Sequence, residues 1–152
     1  MHDWLNRDHV KEFWDGPQSI EEVQKKYLMK IESKSIFPHL VFLDEKPIGY
    51  IQSYIALEVG DGWWEGQPEG TWGVDQFIGE EDYIGKGYGT KFIKLFTDQL
   101  LKRNEVTQVI TDPAPNNPRA IRSYEKAGFV IKEEMDTPDG KCVLMVKSPM
   151  SF

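Results

Sequence analysis

The stretch WGVDQFIGEEDYIGKGYGTKF, residues 72–92, sets a strand against a glycine-rich loop and then a helix. Residues 72–79 read as a strand, yet they contain Asp75. A carboxylate in a half-buried strand is costly unless it is paired or used. Gly79, Gly85, Gly87 and Gly89 follow, which suits a backbone that turns sharply or comes close to another group. From 86 to 103 the residues Phe92, Ile93, Phe96 and Leu100 recur at three- and four-residue steps, the pattern of an amphipathic helix. A helix N-terminus carries unpaired N–H groups and partial positive charge, and glycines let those amides approach a phosphate. The run Gly85-Lys86-Gly87-Tyr88-Gly89-Thr90 is neither a P-loop nor a complete dinucleotide fingerprint. Taken alone, it is read equally well as glycines shaping a strand-to-helix turn.

Outward from this segment, the chain alternates short strands and helices. Upstream, 2–14 place Trp4, Leu5, His9, Phe13 and Trp14 on one face of a helix, stopped by Asp15-Gly16-Pro17. Ser19 with Glu22 forms a capping box for a second helix to about Ser33, with Ile20, Val23, Tyr27 and Ile31 as its apolar side. LVFLD (40–44) and PIGYIQSYIALE (47–58) read as a hairpin. Downstream, 106–112 is a strand ending in Asp112. Asn117, Pro118 and Gly128 sit where an N-cap, a first-turn proline and a terminating glycine belong, which predicts a helix over 118–127. FVIKEEM and KCVLMVK form a closing hairpin across Thr-Pro-Asp-Gly. The order ααβββαβαββ predicts a single α/β domain over 1–152 with a mixed sheet.

Composition narrows the function. With 12% aromatic and 39% hydrophobic residues the chain can build a core. A lone Cys142 excludes an intrachain disulfide, and the absence of a long apolar run predicts a soluble cytoplasmic protein with no membrane partner. The net charge of −7 disfavours nucleic acid. Between Lys46 and Lys86 there is no basic residue, while Glu58, Asp61, Glu65, Glu69, Asp75, Glu80, Glu81 and Asp82 fall there. From Lys86 to Arg103 five basic residues face only Asp98. One part suits a cationic ligand and the other an anionic one; a solvated acidic loop beside an ordinary charged helix accounts for the same pattern. His2, His9 and His39 lack metal-ligand spacing, so no metal is expected.

A second constellation is NPRAIRSYEKAGF, 117–129. Asn117 and Tyr124 are two helical turns apart and can face one side. A phenol with a pKa near 10 can give a proton to a departing thiolate. Equally, Asn117 is a cap and Tyr124 a core residue. Together with the glycine loop, however, Asn117, Ala120, Tyr124, Gly128 and Phe129 resemble the GCN5-related N-acetyltransferases. The segments GDGWW, GVDQFIG, TDPAPNNPRAIRSYEKAGF and TPDG, in that order along nearly the whole chain, are similar to the aminoglycoside 6′-N-acetyltransferases. Ile84 stands where the superfamily loop often has Gln or Arg. The family also has a first strand ahead of the helix containing Trp4-Leu5-Asn6. Here Met1 lies almost inside that helix, so either the edge strand is absent or the sequence starts short of it.

The resemblance implies acetyl-CoA as cosubstrate, lying in a wedge where two parallel strands splay. Gln76, Phe77 and Ile78 would pair with its pantetheine. The amides of Gly85, Lys86, Gly87, Tyr88, Gly89 and Thr90 would hold its pyrophosphate, with Lys86 and Lys91 adding charge and Asn117 also bordering the cofactor. It implies Asp75 as the base for the incoming ammonium and Tyr124 as the acid for the leaving thiolate. It further implies Asp61, Trp63, Trp64, Asp75 and Asp112 as contacts for a cationic amine, an aminoglycoside in the reading that motifs and charge favour. Asp139 borders the same cleft or serves only the hairpin turn, and Cys142 is a core residue. Two alternatives stand beside this: the same chemistry on a protein N-terminus, a polyamine or a siderophore precursor, or a domain that binds CoA or a cationic ligand without catalysis.

Overall fold

The computed structural model describes residues 1–14, 19–60, 64–138 and 140–149. At its centre β3 (Thr71–Ile78) runs parallel to β4 (Gln108–Thr111), but only Thr71–Gly73 pair with Gln108–Ile110. The Thr111 hydroxyl donates to the Val74 carbonyl at 3.1 Å and closes the end of the pair. Beyond it β3 continues to Ile78, while the other chain enters Asp112-Pro113. Proline has no N–H to extend a ladder. Its carbonyl instead accepts from the Val143 amide at 2.8 Å, which draws the segment toward the far side of the sheet. The two parallel strands therefore part, and a wedge opens between them.

Antiparallel strands flank this pair. β2 (Lys46–Ile55) lies along β3 and β1 (Ile36–Leu43) along β2, while β6 (Gly140–Lys147) lies along β4 and β5 (Val130–Thr137) along β6. The six-stranded order is β1-β2-β3-β4-β6-β5. The sheet is the expected mixed α/β architecture, with its parallel strands splayed as anticipated.

Helices cover both faces. α4 (Tyr88–Leu101) is the crossover between the parallel strands; its Ile93 and Leu100 pack with Trp72, Val74 and Val109. α5 (Pro118–Lys126) adds Tyr124 to that layer, with Phe129 just beyond it. Asn117 caps α5 by accepting the Ala120 amide, Pro118 opens it, and Gly128 follows at a φ of 107°. The buried Lys147 ammonium donates to Thr97 and Asp98 at 2.8 and 2.7 Å and so fastens β6 to α4. On the opposite face α1 (His2–Leu5), α2 (Asp8–Lys11) and α3 (Ile20–Glu32) set Trp4, Leu5, Val10, Val23 and Tyr27 against Tyr50 and Phe77.

Two expectations about this face are corrected. Residues 2–14 form two short helices rather than one. Arg7 is extended between them, at φ −78° and ψ 140°. Its guanidinium donates to the Gly79 carbonyl at 2.8 Å and pairs with Glu80 at 3.2 Å, partners that a continuous helix does not supply. In α3 the capping box is present, with the Ser19 hydroxyl accepting the Glu22 amide. Its inward face, however, is Val23, Tyr27 and Lys30, while Ile20 and Ile31 are 57% and 68% exposed. Smaller differences lie at strand ends: β1 begins earlier than predicted, and β2 gives way to a 3-10 turn at Ala56–Glu58.

The α1 contact also explains one glycine ahead of the loop. A Cβ on Gly79 would lie 2.1 Å from the Trp4 ring, whose Nε1 donates to Glu80 at 3.1 Å. Glu80 is held below the usual carboxylate range by these hydrogen bonds from Trp4 and Arg7. Overpacking of this kind typically costs about 1–3 kcal/mol. Gly79→Ala is accordingly expected to lower the unfolding free energy by about that amount, measured by urea denaturation, whereas Gly66→Ala, with open space around its Cβ position, leaves it nearly unchanged.

Candidate functional site

The wedge opens into a cleft of about 790 Å³ bordered by β3, the segment after β4, α5 and the first helices. Backbone polarity explains what the cleft offers. Along a strand, N–H and C=O of successive residues point alternately to the two sides. The Val74 carbonyl faces β4, so the backbone of Gln76 faces the same way, where β4 has already departed. Gln76, Phe77 and Ile78 all line the cleft. The Ile78 carbonyl lies 3.0 Å from His9 Nε2, a contact the sequence reading did not anticipate.

At one end of the cleft stands the glycine loop. Gly85 and Gly87 have φ of 76° and 84°, a left-handed backbone that favours glycine. Nothing lies within 4 Å of where either Cβ would stand, so the loop presents open main chain. Gly87 is the N-cap of α4, and Tyr88, Gly89 and Thr90 make its first turn, whose amides an α-helix leaves unpaired. Lys86 and Lys91 are exposed beside it, with the Lys91 ammonium 5.9 Å from the Tyr88 ring. Gly89 and Ile84 contribute to the cleft wall. Open amides, partial positive charge and flanking lysines together suit a phosphate-bearing ligand.

Asp75 projects on the α1–α3 side of the sheet, where its Oδ2 accepts from Gln52 Nε2 at 3.0 Å. It is half-buried. Burial in protein raises its pKa above the ordinary aspartate value, opposed by the Gln52 hydrogen bond and by the positive charge of Lys30. Tyr124 comes from the other face, on α5, and is 4% exposed. Burial pushes its hydroxyl well above the usual phenol range, with Thr111 and Gln76 as stabilising partners. Both residues line the one cleft. Asn117 lines it too, although its side-chain oxygen is occupied in capping α5.

A second cavity of about 330 Å³ lies on the Asp75 side. Asp75 and Asp112 border both cavities, and Gln52, Tyr54, Val59 and Trp64 are among the residues that line the smaller one. Trp64 is buried and packs with Tyr54 and Ile110. Gly73 is needed here: a Cβ on it would stand 2.0 Å from the Tyr54 ring, which crosses β3 at that point. Asp61, Trp63 and Asp139 lie outside the described residues. Cys142 is buried and free, as a core residue should be, but also lines the larger cleft. Burial raises its thiol to about 11, which leaves it a poor nucleophile near neutrality.

Sequence reasoning missed Gln52, Tyr50 and Lys30. Their signal was present: Tyr50, Gln52 and Tyr54 alternate on one face of β2, and Lys30 continues the Val23–Tyr27 step of α3. Among the described residues no group of three or more His, Cys, Asp and Glu side chains could hold a metal, and no helix is long and apolar enough to cross a membrane.

Comparison with known proteins agrees with this geometry. A family model described as acetyltransferase (GNAT) domain matches residues 1–137. The aminoglycoside N(6′)-acetyltransferase type 1 of Klebsiella pneumoniae is 43% identical over 157 aligned residues, covering all of this chain and 78% of that protein. The structure of AAC(6′)-Ib in complex with paromomycin and acetyl-CoA superposes with a TM-score of 0.91 at 44% identity, over 97% of this chain and 85% of that one. AAC(6′)-Ib with coenzyme A and kanamycin gives 0.90 at 44%, over 97% and 86%. With its splayed strands, open amide loop and full-length match, this chain belongs to the GNAT acetyltransferase family.

Proposed function

We propose that this protein transfers the acetyl group of acetyl-CoA directly to the 6′-amine of an aminoglycoside. The observation that carries the reading is that Asp75 and Tyr124, on opposite faces of the sheet, border one cleft whose Asp75 side continues into a cavity lined by Asp112, Trp64 and Tyr54. Acetyl-CoA supplies the acyl thioester. Gln76 offers it strand backbone, and Phe77 and Ile78 border the same space. The amides of Gly85, Lys86, Gly87, Tyr88, Gly89 and Thr90 suit its pyrophosphate, and Asn117 borders the same space. Asp61, Trp63 and Trp64, with Asp75 and Asp112, are the proposed contacts for the polyammonium sugar.

The chemistry asks little of the protein beyond placement and two protons. Asp75 holds the substrate ammonium and takes its proton, directly or through water. A general base works best with a pKa near the operating pH, and burial moves Asp75 in that direction. The freed amine attacks the acyl carbon, Tyr124 gives its proton to sulfur as the carbon–sulfur bond breaks, and the surplus proton on the new amide nitrogen passes through water to restore the Tyr124 hydroxyl. Burial keeps the Tyr124 phenol protonated but weakens it as an acid, an effect that its hydrogen bonds with Thr111 and Gln76 oppose. No covalent enzyme intermediate is needed, which agrees with the high pKa of Cys142.

The test is CoA release, followed with a thiol reagent, in the presence of kanamycin, spermidine, a peptide with a free N-terminus, or no amine. Release with kanamycin alone, and a product heavier by one acetyl, is the expected outcome. Release with the other amines keeps the transferase and discards the antibiotic. Asp75→Asn should lower turnover about 10²-fold or more, the scale of a general base, while calorimetry still shows acetyl-CoA binding. Near-normal turnover removes Asp75 from the mechanism. Asp112→Asn should raise the Michaelis constant for kanamycin, and less so in high salt, because screening weakens the attraction it removes. An unchanged constant at low salt makes Asp112 a bystander.

Stability carries the same information with a defined sign. Asp75 has a raised folded-state pKa, so the folded chain binds its proton more tightly than the unfolded chain does. Its ionised form withholds stability at neutral pH, and that stability returns as pH falls through the folded pKa toward the unfolded one. Asp75→Asn should therefore melt at or above the wild-type temperature at pH 7, with the difference shrinking as pH falls, as read by differential scanning calorimetry. A variant that melts lower at pH 7 contradicts the burial penalty.

A further inference from the structure

Lys30 is a charged residue on the apolar side of α3. Its ammonium stands 4.8 Å from the centre of the Tyr27 ring and 5.9 Å from those of Trp14 and Tyr50, an aromatic setting that favours a cation. Its Nζ also donates to Gln52 Oε1 at 2.9 Å, and the Tyr50 hydroxyl donates to the same oxygen at 2.7 Å. Two donors on that oxygen settle which way the amide points. The Gln52 NH₂ group must then face Asp75, and it does, at 3.0 Å. The flipped amide would set its oxygen against the carboxylate and its NH₂ against an ammonium, two repulsive contacts in place of two attractive ones.

We propose that Lys30, acting through Gln52, is a positioning residue that holds Asp75 in the orientation and charge state the reaction needs. The inference rests on the reading of Asp75 as the base. The arrangement manages a conflict. Asp75 must be buried enough to accept a proton but must start ionised to hold the substrate. Burial alone favours the neutral acid; the nearby positive charge and the donated hydrogen bond oppose it. The other groups acting on the carboxyl region do not supply that opposition. Tyr50 and Tyr54 on β2 and Tyr124 on α5 are phenols held neutral by burial, and Asp112 is an anion. Around Lys30, Lys26 is a like charge, and Tyr27 and Tyr50 contribute ring faces. His9 and Glu12 line the same cleft. Burial, with Lys26, brings Lys30 down to about 8, with Asp75 acting in the opposite sense, so the charge that tunes Asp75 is itself lost in mildly alkaline solution.

The experiment is a ¹³C NMR titration of the full chain labelled at aspartate carboxyls, with Asp75→Asn identifying the resonance. In Lys30→Met the Asp75 midpoint should move upward by about half a pH unit or more, the sense expected when an opposite charge is removed. In Lys30→Arg, which keeps the charge, it should stay near the wild-type value. Methionine suits the aromatic surroundings, so a folded variant is expected; Lys30→Gln, which keeps a donor and loses the charge, gives the same reading if it does not fold. Turnover of kanamycin by Lys30→Met should fall about threefold and its Michaelis constant should rise, because less of Asp75 is ionised to hold the ammonium, and Lys30→Arg should restore part of both. An Asp75 midpoint unmoved in both neutral variants overturns the proposal. A midpoint that responds, in an enzyme whose Asp75→Asn variant turns over normally, also overturns it as a role in catalysis, and that result is read separately from the first.

Discussion

The early end of the β3–β4 ladder is the constraint on which the rest depends. Three residues of parallel pairing hold the strands together, the Thr111 hydroxyl caps the pair on Val74, and Asp112-Pro113 then turns away to bond with Val143. A buried strand normally keeps its backbone paired, so an open stretch of β3 calls for a ligand or water. The cleft, the exposed backbone of Gln76 and the convergence of Asp75 and Tyr124 all follow from this one departure. Elsewhere the strands stay paired, with register shifts only at Val41/Phe42 and Ile131/Glu133, which gives the open segment a rigid frame.

The molecule handles two of its buried charges in contrasting ways. Lys147 is matched to Asp98 and Thr97 by short hydrogen bonds and serves only to fasten a strand to a helix. Asp75 accepts a neutral amide, stays half exposed to the cleft and keeps an elevated proton affinity. A structural charge is best fully compensated, whereas a carboxylate in the role proposed for Asp75 has to remain reactive. The difference is visible in partners alone, before any activity is considered.

Most of this was legible in the sequence where local rules act. Asn117, Pro118 and Gly128 marked both ends of α5 because caps and first-turn prolines are local chemistry. The Ser19–Glu22 cap marked the start of α3. The glycine loop was legible as a backbone site because its φ values demand glycine. What stayed hidden depended on distant partners. Arg7 breaks the first helix to reach Gly79 and Glu80, more than seventy residues away. Lys30 turns inward in place of Ile31 because Gln52 and three aromatic rings receive its charge. Lys30 continues the Val23–Tyr27 step, but a pattern read from apolar residues passes over a lysine, so the residue that reaches Asp75 through Gln52 went unnamed.

The division of labour across the sheet has an evolutionary consequence. The phosphate-suited loop is made of main chain and sits at the start of α4, whereas the acidic cavity is made of side chains on the opposite face. Distant sites with no shared partners respond to substitution almost additively. Changes in the cavity can thus accumulate with little epistasis toward the loop, and under the roles proposed for the two, selection can broaden or redirect amine preference while affinity for the acyl donor is inherited intact. Asp75 and Asp112, which border both cavities, are where that freedom ends.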